Sequence, residues 1–301
     1  MKINSRTKGI LCVLSAAFCF ALMNLFIRLS GDIPTMQKCF FRNAIAAVIA
    51  FFAIIKTPTE GGAKGKLLLF RAKSGNLKYL FLRALCGTVG LICNFYAVDH
   101  MNISDASMLN KLSPFFAIIF SCFILHEYAD RVEWALVFLA FGGALLVAKP
   151  GFSSEIIPAA VGVLGGLGAG AAYTFVRKLG QRGENSALIV LFFSAFSCLA
   201  LMPFVIADFA PMSGRQLLFL ILTGAAAAGG QFSITAAYTH APAKEISVFD
   251  YSQVIFAALL GALFLGQVPD GLSILGYIVI IAAAVIKWKY GLDKSRREAA
   301  E

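Results

Sequence analysis

The sequence predicts an all-α membrane protein of ten transmembrane helices arranged as two inverted five-helix repeats, and three observations carry that prediction. Of its 301 residues, 59% are hydrophobic and 14% charged, at a mean hydropathy of +0.80, a balance outside that of soluble globular domains. The apolar residues fall into runs of about 20, the length that crosses a bilayer core as a helix. Finally, residues 95–149 lie over residues 235–289 without a gap at a constant offset of 140. Ala97 falls on Ala237, His100 on His240, Ser107 on Ser247, Phe116 on Phe256, Leu125 on Leu265, Asp130 on Asp270 and Lys149 on Lys289. Identities alone decide little in a chain so rich in Ala, Leu and Phe. Shared register of apolar runs, polar break and terminal Lys decides more.

The spans follow in order. Gly9 to about Ser30 comes after Lys2, Arg6 and Lys8; it is longer than a signal-peptide core and lacks a small-residue cleavage site, so it is expected to be a retained first helix. Pro34 separates it from 36–56, and the Gly61-Gly62 pair interrupts the basic stretch before 77–99. Asn102 divides that span from 104–125, and the fifth, 130–149, ends at Pro150-Gly151. The second set reads 157–180, 186–207, 214–240, 243–265 and 270–288, punctuated by Gly183, Pro211, Pro242 and Pro269, residues that break helices or open turns. Two units result, 1–150 and 151–301, the second with a short basic tail. Five spans per unit is odd, so the second unit enters the membrane from the opposite side.

Charge sets the direction. Lys56, Lys64, Lys66, Arg71, Lys73 and Lys78 crowd one loop and Lys287, Lys289, Lys294, Arg296 and Arg297 the end of the chain, whereas the alternate side collects Arg28, Lys38, Lys149 and Arg215. Basic residues accumulate on the cytoplasmic side, which places both termini there and the protein in a cytoplasmic membrane. A net charge of +10 therefore reads as topology and not as nucleic-acid binding. The seven cysteines lie in apolar stretches without a CxxC pair and read as packing residues. His126-Glu127 opens like HExxH, but Asp130 stands where the second zinc ligand belongs, and no GxSxG is present; neither a metal nor a cofactor is expected, and an enzyme is the disfavoured class. A channel is the other alternative.

Ionisable groups at bilayer depth are costly and tend to face an interior or a watery cavity. At about 1.5 Å per residue, Arg42 and Lys111 lie roughly 10 Å from one surface, and Arg83 and Asp250 a similar depth from the other. This reading makes Arg83 a neighbour of Asp250 and leaves Arg42 and Lys111 without a carboxylate at their depth. Arg83 alternatively snorkels, Arg42 alternatively locks onto neighbouring carbonyls, and snorkelling is favoured for Arg28, Arg177 and Lys287. In the repeat Asn110-Lys111-Leu112-Ser113 overlays Asp250-Tyr251-Ser252-Gln253, so the most polar turn of each half occupies the corresponding place, where transporters built of repeats bind their solutes. Asn24, Asn43, Asn94, Tyr96, Tyr173 and Tyr238 add hydrogen-bonding groups, each of which also suits a helix–helix contact. Arg42 and Lys111 are expected to attract an anionic or carboxylate-bearing solute, with Asp250 titrating or switching partner beside Arg83. Gly162, Gly166 and Gly170, with Gly165 and Gly168 beside them, permit close helix approach, static or sliding.

Phe26-x-Arg28 closing the first helix, Phe41-Arg42 in the second, Ser113-Pro114 in the fourth and His126-Glu127 after it resemble the drug/metabolite transporter superfamily, in particular the bacterial EamA type. The resemblance covers nearly the whole chain. It implies a central cavity lined by helices 1–4 and 6–9, peripheral helices 5 and 10, and export or exchange of amino acids or other small metabolites. Its partners would be a small-molecule solute and the lipid bilayer, with a homodimer as an open assembly. The second half departs from the pattern: Val254 stands opposite Pro114, Gln267 opposite Glu127 and Ser194 opposite Arg42.

Overall fold

A computed structural model of the protein describes residues 5–57, 69–124, 130–149, 156–240 and 247–298. Among them nine helices are long and apolar enough to cross a membrane, and Phe249–Leu265 is a shorter apolar one. The first three spans are Ser5–Leu29, Thr35–Lys56 and Leu77–His100; the fourth comes in two pieces, Ile103–Asn110 and Ser113–Ile124; the fifth is Arg131–Ala148. Ile156–Gln181, Ser186–Ala207 and Gly214–His240 follow, then a ninth span that opens as a 3-10 turn, Ser247–Tyr251, before Ser252–Leu265, and a tenth, Gly271–Glu298. The protein is thus an all-helical, multi-pass membrane protein of two five-span repeats. Gly61-Gly62, His126-Glu127, Pro150-Gly151 and Pro242 lie outside the described residues, as does the side chain of Tyr238.

The two interruptions coincide in the repeat. The fourth span breaks at Lys111-Leu112 and the ninth changes helix type between Tyr251 and Ser252, the same pair of positions at offset 140. In the first half Pro114 supplies the cause, because a proline lacks the N–H of a continuing helix and disfavours helical backbone before it. The second half has Val254 there, so its break rests on side chains described below.

Glycines set how closely the halves approach. A Cβ on Gly168 would stand 2.7 Å from Gly90 Cα, and one on Gly90 2.9 Å from Ala169 N, so the third and sixth spans touch backbone to backbone. The stripe Gly162, Gly166 and Gly170 turns instead to the broken fourth span, where added Cβ atoms would meet Leu109, the Leu109 carbonyl and Phe116 Cβ. One helix thereby seats two neighbours of the other repeat. The fifth and tenth spans cross at Gly143 and Gly276 and leave Phe138, Leu145 and Ile278 exposed, the apolar outer surface of peripheral helices.

Repeat symmetry also appears at the helix starts. Asp130 caps the fifth span in a capping box with Glu133, and Asp270 accepts from Ser273 N, 2.8 Å, at the start of the tenth. Each is tied to the far end of the other half's last span: Tyr290 Oη donates to Asp130 Oδ2 at 2.8 Å, and Lys149 Nζ lies 2.8 Å from Asp270 Oδ2. The Asp270 carboxyl is held below its ordinary value, first by the hydrogen bond from Lys149 and then by that from Ser273. A carboxylate lowered in the folded state stabilises it above the unfolded pKa and ceases to as pH falls through the folded one. Asp270 is 56% exposed, so the contribution is screened. Asp270→Asn is expected to lower thermal stability at pH 7 by less than about 1 kcal/mol, and the difference from wild type should shrink in melts as acid protonates the carboxylate; an undiminished difference in strong acid would refute the tie.

Candidate solute site

The site grows out of the coincident breaks. Interruption of the fourth span turns Phe115 N to the Leu112 carbonyl, which frees the Lys111 carbonyl; Tyr251 Oη, its repeat mate, donates to that oxygen at 3.1 Å. Lys111 Nζ meets Asp250 Oδ2 at 2.5 Å. The two polar turns therefore join each other through one hydrogen bond and one ion pair, and together they hold the ninth span's break without a proline. Asp250 Oδ1 and Ser252 Oγ are buried without hydrogen-bond partners.

This corrects the depth argument. Asp250 pairs with Lys111 and not with Arg83, and Lys111 is not a free cation. One physical reason is helix type: Ser247–Tyr251 is a 3-10 turn, which rises about 2 Å per residue and not about 1.5, so a depth counted along an α-helix misplaces Asp250. A lysine ammonium also stands several ångströms from its Cα. Snorkelling is likewise overturned for two residues. Arg28 Nη1 donates to the Val98 carbonyl at 3.0 Å and to the Asp99 carbonyl, satisfying oxygens that the end of the third span leaves open. Lys287 Nζ donates to the Pro114 carbonyl at 3.3 Å and lies over the Phe115 ring, and so points inward at the broken span.

The remaining cations form a second cluster. Arg83 Cζ lies 3.8 Å from the centroid of Phe193, and Arg42 Cζ lies 5.6 Å from the same ring. Within the second span Arg42 Nη1 donates to Asn43 Oδ1 at 2.7 Å and Asn43 Nδ2 to the Cys39 carbonyl at 2.9 Å. The third and seventh spans are joined by the Thr88 and Ser197 hydroxyls at 2.6 Å. A Cβ on Gly87 would stand 2.9 Å from Arg83 Nη1 and 3.0 Å from Phe193 Cε2, so the guanidinium lies against the ring because position 87 has no side chain. No carboxylate is within ion-pair distance of either arginine among the described residues. Arg42 Nε, Arg83 Nε and Arg83 Nη1 are buried without hydrogen-bond partners.

Tyr173 lies within electrostatic range of Arg42, Arg83 and Asp250, which places it amid the second, third, sixth and ninth spans. It is nonetheless 54% exposed. Below Arg42 on the same face of the second span, Ala46, Ala50 and Ala53 line a cleft of about 250 Å³ that Val190 and Ala228 close from the seventh and eighth spans. The other expected residues make contacts within the helix bundle. Asn24 Nδ2 donates to Ser107 Oγ at 3.0 Å, Ser113 packs beside Gly170, Gln253 is buried, Asn110 is half-buried against Gly166, and Tyr96 stacks on His100. Sequence reasoning missed Phe193 and Gly87, which nothing in their neighbourhood distinguishes, and Gln267, whose Oε1 accepts from Ile103 N at 3.1 Å and so caps the fourth span from the other repeat.

The profile of the EamA-like transporter family matches residues 7–149 and 157–287. The pseudopaline exporter CntI of Pseudomonas aeruginosa is 31% identical over 92% of this chain and 94% of its own length, and a riboflavin transporter of Vibrio cholerae is 26% identical over 97% and 96%. A solved crystal structure superposes with a TM-score of 0.63 at 17% identity, over 93% of this chain and 97% of its own, a likeness of fold.

Proposed function

This chain belongs to the EamA-like transporter family, and on that premise we propose that it is a secondary active exporter of a small carboxylate-bearing metabolite, working by alternating access between the units 1–150 and 151–301. The observation that carries the reading is the Lys111–Asp250 pair across two coincident helix breaks. Broken helices placed at a repeat interface offer polar groups at bilayer depth without unsatisfied backbone elsewhere. A proton reaching Asp250 would release Lys111, which then takes the solute carboxylate as its partner; loss of the solute returns Lys111 to the deprotonated Asp250. Each unit carries one member of the pair, so making and breaking it couples protonation to their relative motion. Export follows the direction named for the pseudomonal relative, and the basic loops support a cytoplasmic side for both termini in a bacterial cell.

The purified protein should be screened for metabolites that raise its melting temperature, and any hit loaded into proteoliposomes. The expected outcome is saturable flux with counterflow. Flux that neither saturates nor shows counterflow would identify a pore and refute alternating access.

A further inference from the structure

We propose that Arg42 and Arg83 form a clamp for a solute with two carboxylates, so that the transported class is the dicarboxylates and not the monocarboxylates or neutral amino acids. This rests on the transporter reading and adds a recognition site to it: the diacid rests on the two arginines while Lys111 is paired with Asp250, and one carboxylate passes to Lys111 when Asp250 is protonated. The argument begins with charge. Lys111 is neutralised by Asp250, whereas Arg42 and Arg83, 5% and 8% exposed, have no carboxylate within reach among the described residues. Their contact with Phe193 is a weak substitute, because a cation over a ring gains less than burying the ion costs. Two positive charges thus remain uncompensated inside the protein, and they lie close enough to repel each other. A bound dianion removes both deficits at once, and a monoanion leaves one.

Geometry adds to the charge. Both guanidinium groups address one ring, with Cζ distances of 3.8 and 5.6 Å, so their carbons are no more than about 9 Å apart, within the reach of a small diacid bound by charge-assisted hydrogen bonds at about 2.8 Å. Three of their nitrogens are buried and unpartnered, as is the Ser194 hydroxyl that follows Phe193 and stands opposite Arg42 in the repeat. Tyr173, 54% exposed, lies within electrostatic range of both arginines. The vacancy of position 87 is what lets Arg83 lie there; the alanine face of Ala46, Ala50 and Ala53 would receive the carbon skeleton.

The test compares malonate, succinate and glutarate with butyrate, by thermal shift and by counterflow in proteoliposomes of the full chain. Wild type is expected to bind at least one diacid tenfold or more tightly than butyrate, and Arg83→Gln to reduce that ratio to near one. The ratio is read within a single protein sample, so it does not depend on how much protein folds. Should Arg83→Gln fail to fold, Gly87→Ala keeps the charge but pushes the guanidinium off the ring, and the same collapse of the ratio is expected. A ratio unchanged in Arg83→Gln or Gly87→Ala overturns the clamp, as does a wild type that prefers butyrate or carries only a neutral solute with counterflow. Those outcomes leave the transporter reading intact, which fails only if no solute shows counterflow.

Discussion

Asp250→Asn is expected to abolish gradient-driven transport and to lower the unfolding free energy by at most about 3–5 kcal/mol, the cost of breaking a fully buried ion pair, since this pair is part-buried and its loss strands the other charge. The stranded group is Lys111, 7% exposed. The companion variant separates structure from function. Replacing both members, as Lys111→Met with Asp250→Leu, takes away two desolvation costs together with their attraction, and such exchanges are often neutral or stabilising. Stability of the double variant measured by thermal melting in detergent should return to within about 1 kcal/mol of wild type or exceed it, while transport stays absent. An Asp250→Asn protein that retains gradient-driven transport would show that the pair is architectural and that the coupling proton resides elsewhere. Retention of solute exchange with loss only of the gradient response would locate the proton on Asp250 more narrowly.

How much of this was legible depends on what each inference used. Register needs only the order of residues, so the offset of 140 pairs the polar turns 110–113 and 250–253 and sets Asp130 on Asp270; that the turns are helix breaks and the two carboxylates helix caps is visible only in the fold. Depth needs the length and tilt of each helix. Counting from span ends takes the ninth span as one α-helix, whereas Ser247–Tyr251 is a 3-10 turn, and the count sets Asp250 beside Arg83 and not Lys111. Snorkelling was assigned to Arg28 and Lys287 from their nearness to span ends, but the broken fourth span and the end of the third leave carbonyls nearby that lipid headgroups cannot serve better. The double-arginine cluster was unreadable for a different reason. Arg42 and Arg83 were assigned to different depths, and only the position of Phe193 on a third helix brings them to one ring.

The second large effect concerns the seam that sets those positions. Gly168→Ala is expected to destabilise the protein by about 1–3 kcal/mol, the usual cost of overpacking, because the new methyl would meet Gly90 Cα at 2.7 Å and the Cys86 carbonyl and Gly90 N at 2.9 Å. All three are backbone atoms, so no rotamer change relieves the clash and the third and sixth spans must separate. Gly87 has the opposite character, since there the nearest obstacle is the tip of Arg83, and Gly87→Ala should cost less stability than Gly168→Ala. Gly142→Ala supplies the control. Nothing stands within 4 Å of its added Cβ, and alanine is favoured over glycine in a helix by about 1 kcal/mol, so its melting temperature should hold or rise. Separation of the seam also moves Tyr173 away from Arg83, since each lies on one of the two parting helices. Solute binding by Gly168→Ala should therefore fall even at temperatures where the variant is fully folded, and by Gly142→Ala it should not. If Gly168→Ala melts with wild type and binds as wild type does, the two spans are loosely apposed and the seam does not position the site.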